Sequence, residues 1–222
     1  IYQAQNEYPE KLNNIYSSPA RLYLVGDESI LNKPSVAIIG CRDASDYGKK
    51  VAFNFAYELA KEGFVVISGL ARGIDTYAHL GAVKAGGKTI AVLGSGLKHI
   101  YPSENKKLCN EIVKNSGAII TEYEPHTKPL PMNFPSRNRI ISGLSNGVLV
   151  VEAKQKSGTL ITVDYALEQG KDVFVIPGNI TSINSYGTNE LIKQGAKLVT
   201  NTKEIIEEKK NMDQQDGEKL EL

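Results

Sequence analysis

Tryptophan is absent from these 222 residues, and cysteine occurs only twice, at Cys41 and Cys109. The two cysteines are far apart and show neither a CxxC nor a Cys/His spacing. That excludes a disulfide scaffold and a zinc site and fits a reducing, cytoplasmic compartment. The three histidines, His79, His99 and His126, also lack metal-ligand spacing. No internal repeat is visible. Apolar runs such as Val148 to Val151 fall far short of the ~20 residues of a membrane span, and residues 1–12 carry no signal-peptide core. Charge of one sign is scarce too, with a net of +1. The segment from Thr202 to Leu222 holds four lysines against seven acids, so the tail is acidic and residues 1–201 carry +4. Such a body charge is compatible with a polyanionic partner, and its location must decide.

What is present is enough apolar residue, 41%, to build a core. A chain this long buries roughly 70% of its unfolded surface without staples. Short β-branched runs recur, each followed by a helical-period segment. This predicts an α/β fold, a doubly wound, mostly parallel sheet of about seven strands with helices on both faces. The expected strands are Val36 to Ile39, Phe64 to Ile67, Ile90 to Leu93, Ala118 to Thr121, Val148 to Val151, Val173 to Ile176 and Lys197 to Val199, with Leu22 to Val25 as an added edge. Val51, Phe55 and Leu59, with Ala52, Ala56 and Ala60, form one helical stripe that Gly63 ends. Further helices are expected to begin at Ser103 and to run from Thr159 to Gln169 and from Asn189 to Gln194. Residues 125–135 contain four prolines and read as an ordered surface loop. The organisation is a lead-in over residues 1–34, one domain over 35–210 and a disordered tail, or the end of an excised segment, over 211–222.

In such sheets ligands bind beyond the carboxyl ends of the strands. The stations there are Gly40-Cys41-Arg42, Ser68 to Asp75, Gly94 to Gly96, Glu122, Glu152 to Thr159, and Pro177-Gly178. Three of them place glycine before a helix start, where outward N–H groups favour an anion, although tight βα turns call for glycine regardless of ligand. A GxGxxG fingerprint is excluded, since Arg42 takes the place of its second glycine and no acid ends the second strand, so NAD is not expected. Residues Ala82 to Thr89 nearly spell a P-loop but precede a strand, and no GxSxG occurs. No cofactor is indicated. His79 follows Asp75 by four residues, which suits a hydrogen bond along a helix face.

Residues 125–160 hold Lys128, Arg137, Arg139, Lys154 and Lys156 against one acid, Glu152, a local net of +4, with Phe134 beside the arginines. Cations interleaved with an aromatic suit a single-stranded nucleic acid, whose phosphates meet the charges while an unstacked base lies on the ring. In the alternative, Phe134 folds inward to anchor the loop and the arginines pair with Glu152 or Glu122.

The strings SGLARGID (Ser68 to Asp75, with Ala78-His79 following), TIAVLGSGLKHIYP (Thr89 to Pro102), FPSRNRIISGLS (Phe134 to Ser145), SGTLIT (Ser157 to Thr162) and GTNELIKQGA (Gly187 to Ala196) together resemble the DprA/Smf family, the DNA-processing proteins of bacterial natural transformation. The resemblance runs from about Tyr8 to about Thr202. It implies an extended Rossmann-like domain that binds single-stranded DNA, forms homodimers and helps load RecA. It also implies a phosphate-binding set of Gly40, Cys41, Arg42, Ser68, Gly69, Arg137 and Arg139, with Lys156 before a helix start and Phe134 meeting a base. Many members read GTR or GSR where this chain has Gly40-Cys41-Arg42, so Cys41 replaces a small hydroxyl residue and leaves the backbone N–H as the contact. The reading expects neither the N-terminal helical domain nor the C-terminal winged helix that many members carry within these residues. A nucleoside-monophosphate phosphoribohydrolase of the same superfamily is the alternative. Its loop needs a glutamate where this chain has Ile161 or Thr162, with Glu152 as the only nearby substitute. A dimer face over Asn189 to Val199 would use Leu191, Ile192 and Leu198 unless they are core.

Overall fold

The computed structural model describes residues 1–3 and 5–208. Its strands are β1 (Tyr23–Gly26), β2 (Ser35–Ile39), β3 (Val65–Ser68), β4 (Thr89–Val92), β5 (Ala118–Thr121), β6 (Gly147–Val150), β7 (Asp172–Val175) and β8 (Lys197–Leu198). The helices are α1 (Glu10–Asn13), α2 (Asp46–Lys61), α3 (Ile74–Lys84), α4 (Lys106–Lys114), α5 (Asn133–Leu144), α6 (Gly158–Glu168) and α7 (Tyr186–Lys193). One sheet runs β1-β5-β4-β3-β2-β6-β7-β8. It is parallel throughout except at β1, which pairs antiparallel with β5. The sheet therefore has eight strands; the seven expected and the suggested edge all form.

β2 to β6 are buried along their whole length, as expected where helices cover both faces. Alternation divides the core. Ala37, Ile39, Ile67, Ile120 and Val148 face Ile140, Leu144 and Val163 on one side. Val36, Ile38, Val66 and Leu149 face Ala52, Ala56, Leu59 and Ala78 on the other. The lead-in belongs to the first layer, through Tyr8, Leu12, Leu22 and Ile30. Residues 211–222 lie outside the described residues. No helix among the described residues is long and apolar enough to cross a membrane.

The proline-rich segment departs from expectation at its end. Residues 125–132 are irregular and pinned by backbone bonds from Gly96 N–H to the Thr127 carbonyl and from Lys98 N–H to that of Pro125, both 2.9 Å. Asn133 to Pro135 instead open α5. Pro135 is tolerated because N–H groups of a first turn have no intrahelical partner. α5 carries the chain back across the sheet between β5 and β6, so the strand order reverses between β2 and β6, where a crevice must open.

Candidate functional site

A cleft of about 330 Å³ occupies that crevice. Its walls are the ends of β2 (Gly40 to Asp43), the first turns of α5 (Phe134 to Asn138), and the approach to α6 (Lys154, Ser157 to Thr159). The start of α6 is open. Ser157 Oγ accepts the Thr159 N–H at 3.1 Å, and a Cβ added to Gly158 would meet nothing within 4 Å. The cleft thus presents the positive end of an eleven-residue helix to solvent.

Arg42 is exposed, and among the described residues its guanidinium makes no ion pair. It rests 5.7 Å from the centroid of Phe134. The ring of Phe134 sits against Gly94, where an added Cβ would lie 2.9 Å from Cδ1, and it contacts Tyr101 at a centroid distance of 5.5 Å. Phe134 is anchored as the inward reading expected, half-buried and packed on the β4 end, and it also forms part of the cleft wall.

Arg137 lies beneath this surface. It is 4% exposed, and its Nη1 donates to the carbonyls of Gly69 (2.8 Å) and Val92, while Nε has no partner. Burial pushes its pKa down to about 10, and the nearby Asp75 charge partly offsets this. Asp75 accepts the N–H groups of Gly69 (3.1 Å) and Ala71 (3.3 Å); burial pushes its carboxyl up to about 6 against the pull of Arg137. Gly69 is the wedge between them, since a Cβ there would stand 2.7 Å from Arg137 Nη2 and 2.9 Å from Asp75 Oδ2.

Other expected contacts are placed differently. Arg139 turns away from the cleft to pair with Glu122 and to donate from Nε to the Ser17 carbonyl at 2.9 Å. Ser68 is fully buried, its hydroxyl donating to the Ile38 carbonyl at 2.7 Å, so it supports the site from below. Cys41 lines the cleft, but its backbone N–H already donates to the Glu152 carbonyl at 2.9 Å; burial raises its thiol pKa. Lys156 is exposed beside the cleft, and Lys154, missed as a site residue, forms part of its wall while pairing with Asp43 at 3.3 Å.

His79 does not bond Asp75. Its Nδ1 is 2.7 Å from Thr89 Oγ1, and that hydroxyl donates to the Val66 carbonyl at 2.6 Å. The imidazole must therefore donate from Nδ1, leaving Nε2 a bare, buried acceptor. Glu152, the lone acid of the basic stretch, holds Ser45, whose hydroxyl caps α2 by accepting the Gly48 N–H at 3.0 Å. It accepts the Ser45 N–H at 3.0 Å and the Ser45 hydroxyl at 2.5 Å, with Asn184 Nδ2 at 3.3 Å.

The family model described as DNA recombination-mediator protein A matches residues 1–210. The chain is 44% identical over 206 residues to DNA processing protein DprA of Bacillus subtilis, covering 92% of this chain and 69% of that protein. The solved structure of DNA processing protein A from Streptococcus pneumoniae superposes with a TM-score of 0.89 at 44% identity, over 94% of this chain and 73% of the other. That of DNA processing protein A from Helicobacter pylori gives 0.83 at 36% identity, over 90% and 91%. With a family model spanning every described residue and relatives this similar, the chain belongs to the DNA recombination-mediator protein A family, the DprA/Smf proteins.

Proposed function

We propose that the cleft between β2 and β6 holds single-stranded DNA without cutting it, and that the protein thereby acts in DNA processing during natural transformation and recombination. The observation that carries this reading is the free Arg42 guanidinium over Phe134, at 5.7 Å, facing the open start of α6. A phosphate can be shared by the arginine, Lys154 and the helix terminus, while an unstacked base uses the ring. Lys156 adds a cation at the rim, Arg137 with Gly69 holds the floor, and Gly40 lets the β2 end pack against Ile74 and the Glu152 carbonyl, which an added Cβ would meet at 2.5 and 2.9 Å. The Helicobacter pylori relative, a protein with a single-stranded DNA binding mode of its own, supports the same use of this fold.

Hydrolysis is disfavoured by the positions of the acids. Ile161 and Thr162 hold no carboxylate, and Glu152 is spent on the α2 terminus. Loading of RecA and a homodimer complete the proposal. Leu191 and Ile192 are committed to the core, so a dimer over residues 189–199 would use Leu198 on the sheet edge, 44% exposed. Sedimentation as a monomer at micromolar concentration would remove the dimer.

The test is an anisotropy titration with labelled oligothymidylate at two ionic strengths. The slope of log K against log salt should be about −2 to −3 if three or four phosphates are neutralised. Arg42→Ala should weaken binding by about 1.5 to 3 kcal/mol at unchanged melting temperature. Affinity independent of salt would defeat the reading.

A further inference from the structure

Tyr101, the ring partner of Phe134, lies on the β4–α4 connection next to the cleft and outside its wall. Its side chain is 41% exposed. An exposed ring on a loop ordinarily moves, yet this loop is held. Ser95 Oγ donates to the His99 carbonyl at 2.6 Å, two backbone bonds tie residues 96 and 98 to the 125–127 segment, and Pro102 is buried. Arg72 stands alongside in the same notch, its Nε 2.5 Å from Glu104 Oε1, and the Glu104 carboxylate holds the guanidinium in its charged form. A notch lined by Arg42, Arg72, Tyr101, Pro102 and Phe134 joins the tyrosine to the cleft.

The rings of Tyr101 and Phe134 stand at 56° with centroids 5.5 Å apart. Phe134 is already contacted by Gly94, Arg42 and Arg137, whereas Tyr101 keeps more open surface. We propose that Tyr101 is a second base platform, so that a DNA strand leaving the Arg42–Phe134 position turns at this corner and lays its next exposed base on Tyr101, with Arg72 taking a phosphate. The inference rests on the cleft being the single-stranded DNA site.

Geometry then dictates a preference. Two bases on planes inclined by 56° cannot stack on each other. Adenines, which stack strongly, lose more at such a corner than thymines, and a pyrimidine preference follows.

The experiment compares wild type, Tyr101→Ala, Tyr101→Phe and Arg42→Ala by anisotropy with labelled dT and dA 15-mers, alongside thermal melting. A dT oligonucleotide carrying 5-iodouracil is photo-crosslinked to wild type in parallel. The expected result is a loss of about fivefold or more in dT affinity for Tyr101→Ala with little change in melting. Tyr101→Phe should bind within about twofold of wild type, and the dT-over-dA preference should shrink in the alanine variant. Crosslinks should map to the peptide containing Tyr101. If Tyr101→Ala binds like wild type and the crosslinks fall elsewhere, while Arg42→Ala loses affinity, the second platform is wrong and the cleft reading stands. If wild type binds neither oligonucleotide, both fall.

Discussion

Arg139 grips Glu122 with both prongs of its guanidinium, Nη1 to Oε1 and Nη2 to Oε2, each at 2.6 Å. Both side chains are largely withdrawn from water, at 9% and 19% exposure. Removing one partner strands the other, which costs about 3 kcal/mol for a buried pair. Arg139→Ala is therefore expected to lower urea-unfolding stability by about that amount and to leave the salt slope of DNA binding at its wild-type value. A reduced slope in a folded Arg139→Ala protein would return this arginine to the phosphate set.

Gly69→Ala tests the floor of the cleft. The new methyl would meet the Arg137 guanidinium at 2.7 Å and the Asp75 carboxylate at 2.9 Å, and both groups are buried. A loss of about 1 to 3 kcal/mol in stability is expected from such overpacking. Oligothymidylate affinity should fall with it, because Phe134 lies 5.9 Å from the same guanidinium. Wild-type values in both titrations would show that the floor yields freely.

Phe134→Ala separates anchoring from stacking. The ring packs on Gly94 and also borders the cleft, so a drop in melting temperature and an affinity loss of about 1 to 3 kcal/mol are both expected. Retained affinity with lowered melting would leave only the anchor.

The buried acid and imidazole on α3 oppose each other in pH. Burial lowers His79 from 6.5 to about 3, so the unfolded chain takes up a proton below pH 6.5 that the folded chain refuses, and this contribution to stability fades as pH falls. Burial raises Asp75 from 3.8 to about 6, so its contribution is present below 3.8 and fades as pH rises toward 6. Between pH 3.8 and 6 the two slopes offset. His79→Asn keeps a donor toward Thr89 and removes the titration. Its stability in urea should decline with rising pH over that window, differing from wild type by up to about 1.4 kcal/mol per pH unit. Parallel pH profiles would contradict the assignment.

The strands were legible because parallel, doubly covered sheets demand unbroken apolar runs, and Val36 to Ile39 or Val148 to Val151 can be little else. α5 was hidden by the prolines before it and by Pro135 within it, which sits in the one turn where helix tolerates it. That omission misled the reading of the arginines. Residues two apart on a helix point about 200° from each other, so Arg137 and Arg139 could not both face one cleft once α5 was known. Nothing local marks the Cys41 N–H as taken by the Glu152 carbonyl, or Glu152 as the partner of the Ser45 cap, because both depend on β6 lying beside β2.

Glu152 gives this fold a different economy from its dinucleotide-binding cousins. Where a pyrophosphate would settle against the first crossover helix, a carboxylate of the chain itself is seated, so close that a Cβ at Gly48 would stand 2.4 Å from its oxygen. The protein carries its own resident anion at one pole of the sheet's mouth. On the proposed reading, an incoming chain of phosphates would meet like charge at that pole and be turned toward the cations that line the cleft.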